Sequence, residues 1–433
     1  MNVHLKTRSW HRFTPTRKHL WFATLEGAPA TVITTLLNGP FLTGYLLYLG
    51  ATSSEVGLVL AMTTIVNVGQ ILMAYLMQKW SNRKLLILIF GSMHRILWAC
   101  TGLIPFVLER DLWIPAYVVL YTLAFLSNSF AGVVWSTLMA DMVPASVRAR
   151  HFGIRNMLLN ALGSLGLFIG GQILDHYGNE TGFPILYSIV GVAVVCNVLG
   201  YTLYPNPPFQ QSENTKLMPM LTRPFKDRTY IRATAFLALW LFMQGISVPL
   251  FSYVMLKPLQ VSYQTISILT VLQTAVMMMS FYVWGNLNAR WSNRQLLFWT
   301  LPLLSLSCML WGLLAWLPVL PVLIMVHMCL GAGTGGFNQL AFNFIIGDTP
   351  RGERPMFIAM YSTLTGFAAF LGPLLGGRMY GWAERMPLWV QQYGISSGMG
   401  FIMLLLAVSL GRKVLLDKAP KSPPGPGIET SVS

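Results

Sequence analysis

Long apolar runs recur along nearly the whole chain, each closed by a short polar stretch with charged, glycine or proline residues. A helix needs roughly 20 apolar residues to cross the ~30 Å hydrocarbon core of a bilayer. Twelve segments reach that length: 20–48, 55–78, 84–108, 113–140, 151–175, 184–204, 231–256, 263–287, 295–317, 320–347, 356–381 and 391–411. The pattern predicts an all-α membrane protein with twelve transmembrane helices. The first run is too long for a secretory leader, and no small-residue cleavage site follows a short apolar stretch.

Twelve crossings return the chain to its starting side, so both termini are expected on one face. Lysines and arginines on that face number 24, whereas the opposite loops carry three: Arg110, Lys257 and Arg385. The positive-inside rule makes the rich face cytoplasmic. The stretch 205–230 contains Pro205, Pro207 and Pro208, then Gln, Ser, Asn and Lys, and reads as a flexible linker. The expected organisation is a cytoplasmic tail (1–19), a six-helix bundle (20–204), the linker (205–230), a second six-helix bundle (231–411) and a disordered cytoplasmic tail (412–433).

Composition narrows the class further. Of 433 residues, 54% are hydrophobic and 10% charged, against about 25% charged in soluble domains. A cytosolic enzyme, a disordered chain and a secreted disulfide scaffold are excluded. A net charge of +15 would raise nucleic-acid binding in a soluble chain. Here the loop count accounts for it, with attraction to anionic lipid as a secondary effect, and no nucleic-acid partner is expected. Cys100, Cys196, Cys308 and Cys329 sit inside apolar runs without a Cys-x-x-Cys pair, and an isolated His327-x-Cys329 makes no metal site. No metal or cofactor is expected. There is no Walker loop, and the glycine-rich 331–336 stretch lies inside an apolar run, so ATP is not the energy source. Asn179-Glu180-Thr181 matches a glycosylation sequon. Short loops with almost no extramembrane domain point instead to a bacterial inner membrane, a multi-pass plasma-membrane location.

The halves repeat each other. Trp80-Ser81-Asn82-Arg83 recurs as Trp291-Ser292-Asn293-Arg294, an offset of 211. Asp141, Pro144 and Arg148 recur as Asp348, Pro350 and Arg354, and Gly166 with Gly170-Gly171 recurs as Gly372 with Gly376-Gly377, at offsets of 206 to 207. Parallel repeats with basic loops after runs 2 and 8 resemble the major facilitator superfamily over essentially all twelve runs. The resemblance implies two six-helix halves that rock about a site at the bilayer midplane. It also implies gating loops, here Arg83, Lys84, Asp141, Arg148, Arg294, Asp348 and Arg354. The superfamily's usual Asp in the first basic loop is absent, and Asn82 would stand in for it in a latch to the opposite half. The antiporter-like Gly-Pro-x-x-Gly-Gly is complete at 372–377, whereas Leu167 replaces Pro in the first half.

Ionisable groups inside a membrane are costly and mark function. Glu26 is the one acid well inside a run, about seven residues or ~10 Å deep, and Arg95 is about eleven residues or ~16 Å deep. Their depths differ by less than an Arg side chain's reach. An ion pair is therefore expected, with Glu26 titrating for proton coupling. His94 and His327 are alternative proton carriers. The resemblance implies a cavity lined by runs 1, 4, 7 and 10, whose mid-depth residues include Asn38, Asn128, Trp135, Gln244, His327, Asn338 and Gln339. These are the candidate substrate contacts. Amides offer donors and acceptors, and the set lacks both the Arg pair that suits an anion and the acid that suits a cation. The expected substrate is thus a neutral or amphipathic small molecule.

The resulting expectation is a monomeric, proton-coupled secondary transporter working by alternating access, with efflux ahead of uptake of a neutral metabolite such as a sugar or nucleoside. A flippase for a lipid-linked substrate and a non-transporting sensor are further alternatives. An enzyme is not expected, because paired Asp, Ser with His, or a His/Glu cluster is missing.

Overall fold

The computed structural model describes residues 15–77, 80, 82–142, 145–206, 225–288, 290–347 and 354–416. Helices account for nearly all of the described residues. In a bilayer every backbone N–H and C=O has to be paired inside the protein, and a helix does this within its own segment. The first half holds α1 (Pro15–Leu36), α2 (Pro40–Tyr48), α3 (Ser53–Ile65), α4 (Gly69–Met77), α5 (Arg83–Cys100), α6 (Ile104–Val107), α7 (Trp113–Met142) and α8 (Ala145–Thr202). The second half holds α9 (Arg228–Ser247), α10 (Phe251–Leu256), α11 (Tyr263–Leu287), α12 (Asn293–Met309), α13 (Val319–Gly347), α14 (Arg354–Ala383), α15 (Ile395–Leu406) and α16 (Arg412–Leu415).

Among the described residues, eight helices are long and apolar enough to cross a membrane, or nine with the bent pair α1–α2 counted as one. Of the twelve runs of the sequence, the one over Arg354–Ala383 is not among them, and others are merged or short. Ile154–Thr202 is counted once, and Ser53–Val68 falls in the shorter class. Within α8 the backbone leaves the helical region at Gly178, with φ 68° and ψ 178°. A Cβ on Gly182 would touch Leu174, so the chain doubles back there and the two limbs of α8 lie side by side. The expected loop between 175 and 184 shrinks to that one glycine, which tolerates positive φ. The expected single run 20–48 is broken at Asn38-Gly39-Pro40, where Gly39 has φ 59° and Pro40 opens α2. The two pieces meet at 48°.

Two ends of the molecule can be defined from this order. The basic end carries the α4–α5 and α7–α8 connections, and the far end carries the α2–α3 connection and Gly178. In the first half α1 packs along both limbs of α8, and α5 packs on α7 and α8. In the second half α9 packs on α14, and α12 packs on α13 and α15. The halves meet through α3 on α14 and α8 on α11. Most of the 205–230 linker and both tails lie outside the described residues.

Candidate functional site

Glu26 sits on α1 near the start of its apolar stretch, which begins at Thr24. The side chain is buried, 7% exposed. Its carboxylate does not meet Arg95. Oε1 accepts from Asn197 Nδ2 at 2.8 Å, and Oε2 accepts from the Tyr204 hydroxyl at 2.7 Å. Asn197 Nδ2 also reaches the Glu26 carbonyl at 3.1 Å. Asn197 lies on the returning limb of α8, and Tyr204 lies two residues past its end. Gly200 lies between them on that limb, and a Cβ there would press on Glu26 Cγ at 3.1 Å. The missing side chain lets α1 come close enough for the short bonds. Trp135 of α7 extends the chain, its indole N–H donating to the Tyr204 hydroxyl at 3.3 Å. Arg155 lies over the Trp135 ring, 5.3 Å from its centre.

The expected Glu26–Arg95 ion pair is therefore not formed. Arg95 is buried on α5 and turns to His94 and Tyr201. Its Nη1 is 3.3 Å from His94 Nε2, and His94 Nδ1 is 2.9 Å from the Ala124 carbonyl. A carbonyl only accepts and a guanidinium only donates. This fixes the neutral tautomer with the proton on Nδ1, and His94 is a packed core residue. Tyr201 lies within electrostatic reach of both Arg95 and Glu26. The returning limb of α8 and the turn after it supply the partners of Glu26.

Among the described residues, no hydrogen bond joins any two of the candidate substrate contacts. Asn38 is exposed in the α1–α2 bend and accepts from the Gly39 N–H at 2.9 Å. Asn128 and Asn338 are exposed on α7 and α13. His327 is buried with Nδ1 2.8 Å from the Leu323 carbonyl of its own helix. Trp135 belongs to the Glu26 network. Gln244 and Gln339 are partly buried, and among the described residues the Oε1 atom of each lacks a hydrogen-bond partner. Among the described residues no group of three His, Cys, Asp or Glu side chains converges on a metal position.

A cleft of about 310 Å³ opens instead between α1, α8 and α11. Its wall carries Thr31, Thr34 and Thr35 from α1, Asn160 and Ser164 from α8, and Thr274 from α11. In the sequence these residues do not stand out, because isolated threonines on apolar helices are common. The signal available was their clustering at 31, 34 and 35.

The family model of the Major Facilitator Superfamily matches residues 30–256 and 235–431. The chain belongs to the Major Facilitator Superfamily. A curated relative, the tetracycline resistance protein of class H from Pasteurella multocida, is 22% identical over 306 residues, covering 68% of this chain and 72% of that protein. A crystal structure of a mutant nucleoside transporter superposes with a TM-score of 0.71 at 15% identity, covering 90% of this chain and 99% of the other. An inward-open xylose transporter from E. coli gives 0.68 at 13% identity, covering 91% and 96%. These likenesses establish the fold.

The superfamily's loop residues can now be placed. Arg83 is fully buried at the start of α5, where Nη1 donates to Asp141 Oδ2 at 2.6 Å and to the Thr137 carbonyl at 3.1 Å. This ties α5 to α7 within the first half. Asn82 caps α5 by accepting from the Leu85 N–H at 3.1 Å, so its side chain serves its own helix and not a latch to the opposite half. In the second half the cap moves back one residue to Ser292, with a reciprocal box to Gln295. The Lys84 N–H donates to Asn206 Oδ1 at 3.3 Å. Arg294 also has a partner. Asp348 lies outside the described residues, as do the side chains of Arg148 and Arg354.

The repeated glycines divide their work in this superfamily member. Gly372 and Gly376 face Gly245 and Ile246 of α9, while Gly377 faces Ser53, Ser54 and Gly57 of α3 across the halves. Their counterparts do likewise. Gly166 and Gly170 face Thr35, Leu36 and Phe41, and Gly171 faces Gln264 and Ser267 across the halves. The last glycine of each motif is thus a far-end seam between halves.

Proposed function

We propose that this superfamily member is a proton-coupled secondary transporter for a small neutral or amphipathic organic solute, with Glu26 as its proton site. The basic end faces the cytoplasm, and twelve crossings in two six-helix bundles joined by the 205–230 linker bring both tails there. The bacterial inner membrane is the location, and a monomer is the working unit. The observation that carries the reading is the buried Glu26 carboxyl, held by two neutral donors, Asn197 and Tyr204. A carboxyl without an ion-pair partner takes up and releases a proton without breaking a salt bridge. Its neighbours at the inner end of the first half, Tyr204 and Trp135, form a hydrogen-bonded path towards α7. Arg95 acts through Tyr201 as a positioning residue. Arg83 with Asp141 and the loops at Lys84, Arg148, Arg294, Asp348 and Arg354 steer the rocking of the halves.

Alternating access requires one end to be sealed while the other opens. The contacts of Gly377 with α3 and of Gly171 with α11 support a far-end seal that breaks during the cycle. A resistance protein among the relatives supports export, and the nucleoside and xylose transporters support uptake of a neutral metabolite as the second direction.

The test uses purified full-length protein in liposomes with an imposed pH gradient. Pooled neutral and amphipathic solutes are screened for gradient-driven flux, with Glu26→Gln in parallel. Driven flux in the parent that falls to passive exchange in Glu26→Gln is the expected result. Full driven flux in Glu26→Gln removes Glu26 from the coupling step.

A further inference from the structure

We infer that Arg378 and Trp382, on the outward face of α14, form a binding site for the headgroup of an anionic phospholipid in the leaflet at the far end. Arg378 stands inside an otherwise apolar run, 356–381. Residues three or four apart share one face of a helix. Phe367, Leu371, Arg378 and Trp382 fall on one such stripe of α14, and all four are exposed. The residues that pack the helix lie on its other sides. Gly372 and Gly376 face α9, and Gly377 and Gly381 face α3. The halves are closed at the far end by these contacts with α3, so a stripe still exposed at that level faces lipid.

The same contacts fix the depth. α14 runs beside α9, whose stretch Arg228–Leu256 is long and apolar enough to cross a membrane. Gly377 and Gly381 lie against Ser53 and Ser54, the first residues of α3. Arg378 is therefore within about one turn of the level where α3 begins. A guanidinium there needs an anion or water. Among the described residues no hydrogen bond, ion pair or ring contact holds it. The acids of the neighbouring elements are engaged elsewhere. Glu55 of α3 accepts from Thr52 at 2.8 Å, Glu384 is 3.0 Å from Lys257, and Asp175 accepts from the first turn of α11.

A lipid phosphate supplies the missing charge. The fork of an arginine matches phosphate oxygens, and its aliphatic stem can lie on apolar surface while the head reaches the headgroups. Trp382, one turn further out, is 65% exposed, and an indole suits that interfacial level. Leu371 and Phe367 lie seven and eleven residues inward, ~10 Å and ~16 Å along the helix. They offer an acyl chain an apolar track about as long as half of the ~30 Å core. Arg385, exposed in the turn after α14, adds a second positive charge. A headgroup of net negative charge is favoured, because the ammonium of a zwitterionic one would meet two guanidiniums. The internal repeat provides a comparison site. At the 206-residue offset Arg378 becomes Gln172, Trp382 becomes His176 and Leu371 becomes Leu165, and these three are exposed as well. The first half thus shows lipid the same stripe without the guanidinium.

The experiment places the photoreactive residue p-benzoylphenylalanine at Leu371, or at Leu165 for comparison, in the full chain. Each protein is reconstituted in bilayers of equal phosphatidylglycerol and phosphatidylcholine and illuminated, and its lipid adducts are counted by mass spectrometry. A basic residue near a membrane surface favours anionic lipid by about fivefold. Phosphatidylglycerol adducts at 371 are therefore expected to exceed phosphatidylcholine adducts about fivefold, with near equality at 165. Arg378→Gln should bring the ratio at 371 to equality, and Arg378→Lys should keep part of the excess. Arg378 is exposed, so both variants should melt with the parent. Equal adducts at 371 in the otherwise unchanged chain overturn the proposal. So does an excess that persists in Arg378→Gln, or the same excess at 165, which would reflect the membrane surface as a whole.

Discussion

Asp175 and Gly381 occupy equivalent positions in the two halves, 206 residues apart, and close the far end by different chemistry. Asp175 accepts the backbone N–H of Tyr263 at 2.9 Å and of Gln264 at 2.8 Å in the first turn of α11. A helix N-terminus presents free N–H groups and a positive dipole end, which suit a carboxylate. Gly381 offers no side chain and lies against the first turn of α3, where an added Cβ would sit 3.2 Å from the Ser53 hydroxyl oxygen. One seam is held by charge and the other by fit.

A carboxylate at a helix N-terminus is worth about 0.3–1 kcal/mol. Asp175→Asn is therefore expected to shift the closed-to-open balance of the far end by about two- to fivefold. Spin labels at Tyr177 and Gln260 would report this as a larger long-distance population. An unchanged distance distribution would show that Asp175 does not hold the seam.

The fitted seam should respond to a single methyl group. A Cβ on Gly377 would lie 2.6 Å from the Ser53 carbonyl and 3.1 Å from Ser54 Cα, both backbone atoms. Overpacking of this kind costs about 1–3 kcal/mol. Gly377→Ala should open the far end, raising the reactivity of a Ser54→Cys probe towards a membrane-impermeant thiol reagent. Gly366→Ala is the control, because its nearest contact is the Thr64 carbonyl at 3.7 Å. Equal reactivity in the two variants would count against the fit argument.

Arg83 is fully buried, whereas the Asp141 side chain is 49% exposed. Solvent screens that half of the pair, so Arg83→Ala should cost on the order of 2 kcal/mol, below the range for a fully buried pair. Asp141→Asn should cost less, since the amide oxygen and the Thr137 carbonyl still accept from the guanidinium. Thermal unfolding of the two variants in detergent checks the order, and equal costs would contradict it.

Asn197 and Tyr204 share one carboxylate, so their removal should not be additive. A hydrogen bond to a charged group contributes about 1.5–3 kcal/mol. Asn197→Leu and Tyr204→Phe are each expected to lower the melting temperature, and the double variant should depart from the sum. Additivity within about 0.5 kcal/mol would mean that the two donors do not act on the same group.

On the far face, Lys257 Nζ lies 3.0 Å from Glu384 Oε1, and the Tyr253 hydroxyl donates to the same oxygen at 3.2 Å. Partial burial works against the ammonium charge, but Glu384 and Tyr253 outweigh it and hold the amine above its ordinary 10.5. A raised folded value means that the contribution is complete below 10.5 and is lost only as pH rises through the folded value. Both side chains are exposed, so Lys257→Met should cost about 0.2–1 kcal/mol. That difference should stay flat across neutral pH and vanish in strong alkali. A slope near neutrality in paired melting curves would point to another titrating group.

Much of this architecture could be read from the residues. Apolar runs such as 113–140 and 263–287 became α7 and α11 with nearly the expected limits, because a membrane leaves a long apolar segment few ways to pair its backbone. The glycines repeated at the 206-residue offset sit at both far-end seams, where a missing side chain lets backbones approach closely. The bend at Asn38-Gly39-Pro40 and the reversal at Gly178 were less legible. Each depends on one glycine adopting positive φ, Gly39 within an apolar run and Gly178 in the polar stretch between two runs.

The partners of Glu26 were decided by tertiary structure alone. Sequence position gives depth along a helix at ~1.5 Å per residue, but not the neighbour that a side chain turns towards. Arg95 has a suitable depth, yet Asn197 and Tyr204, 171 and 178 residues away, occupy the face that α1 presents to α8. The threonine cleft has the same origin. Thr31 and Thr34 are unremarkable in one dimension, and only the packing of α1, α8 and α11 brings Thr274 opposite them. Hydrophobic pattern and repeated motifs therefore determined class and repeat, because the bilayer acts on composition. Rotation of each helix about its axis, and so the identity of the site, was set by the packing of glycines, aromatics and neighbouring limbs.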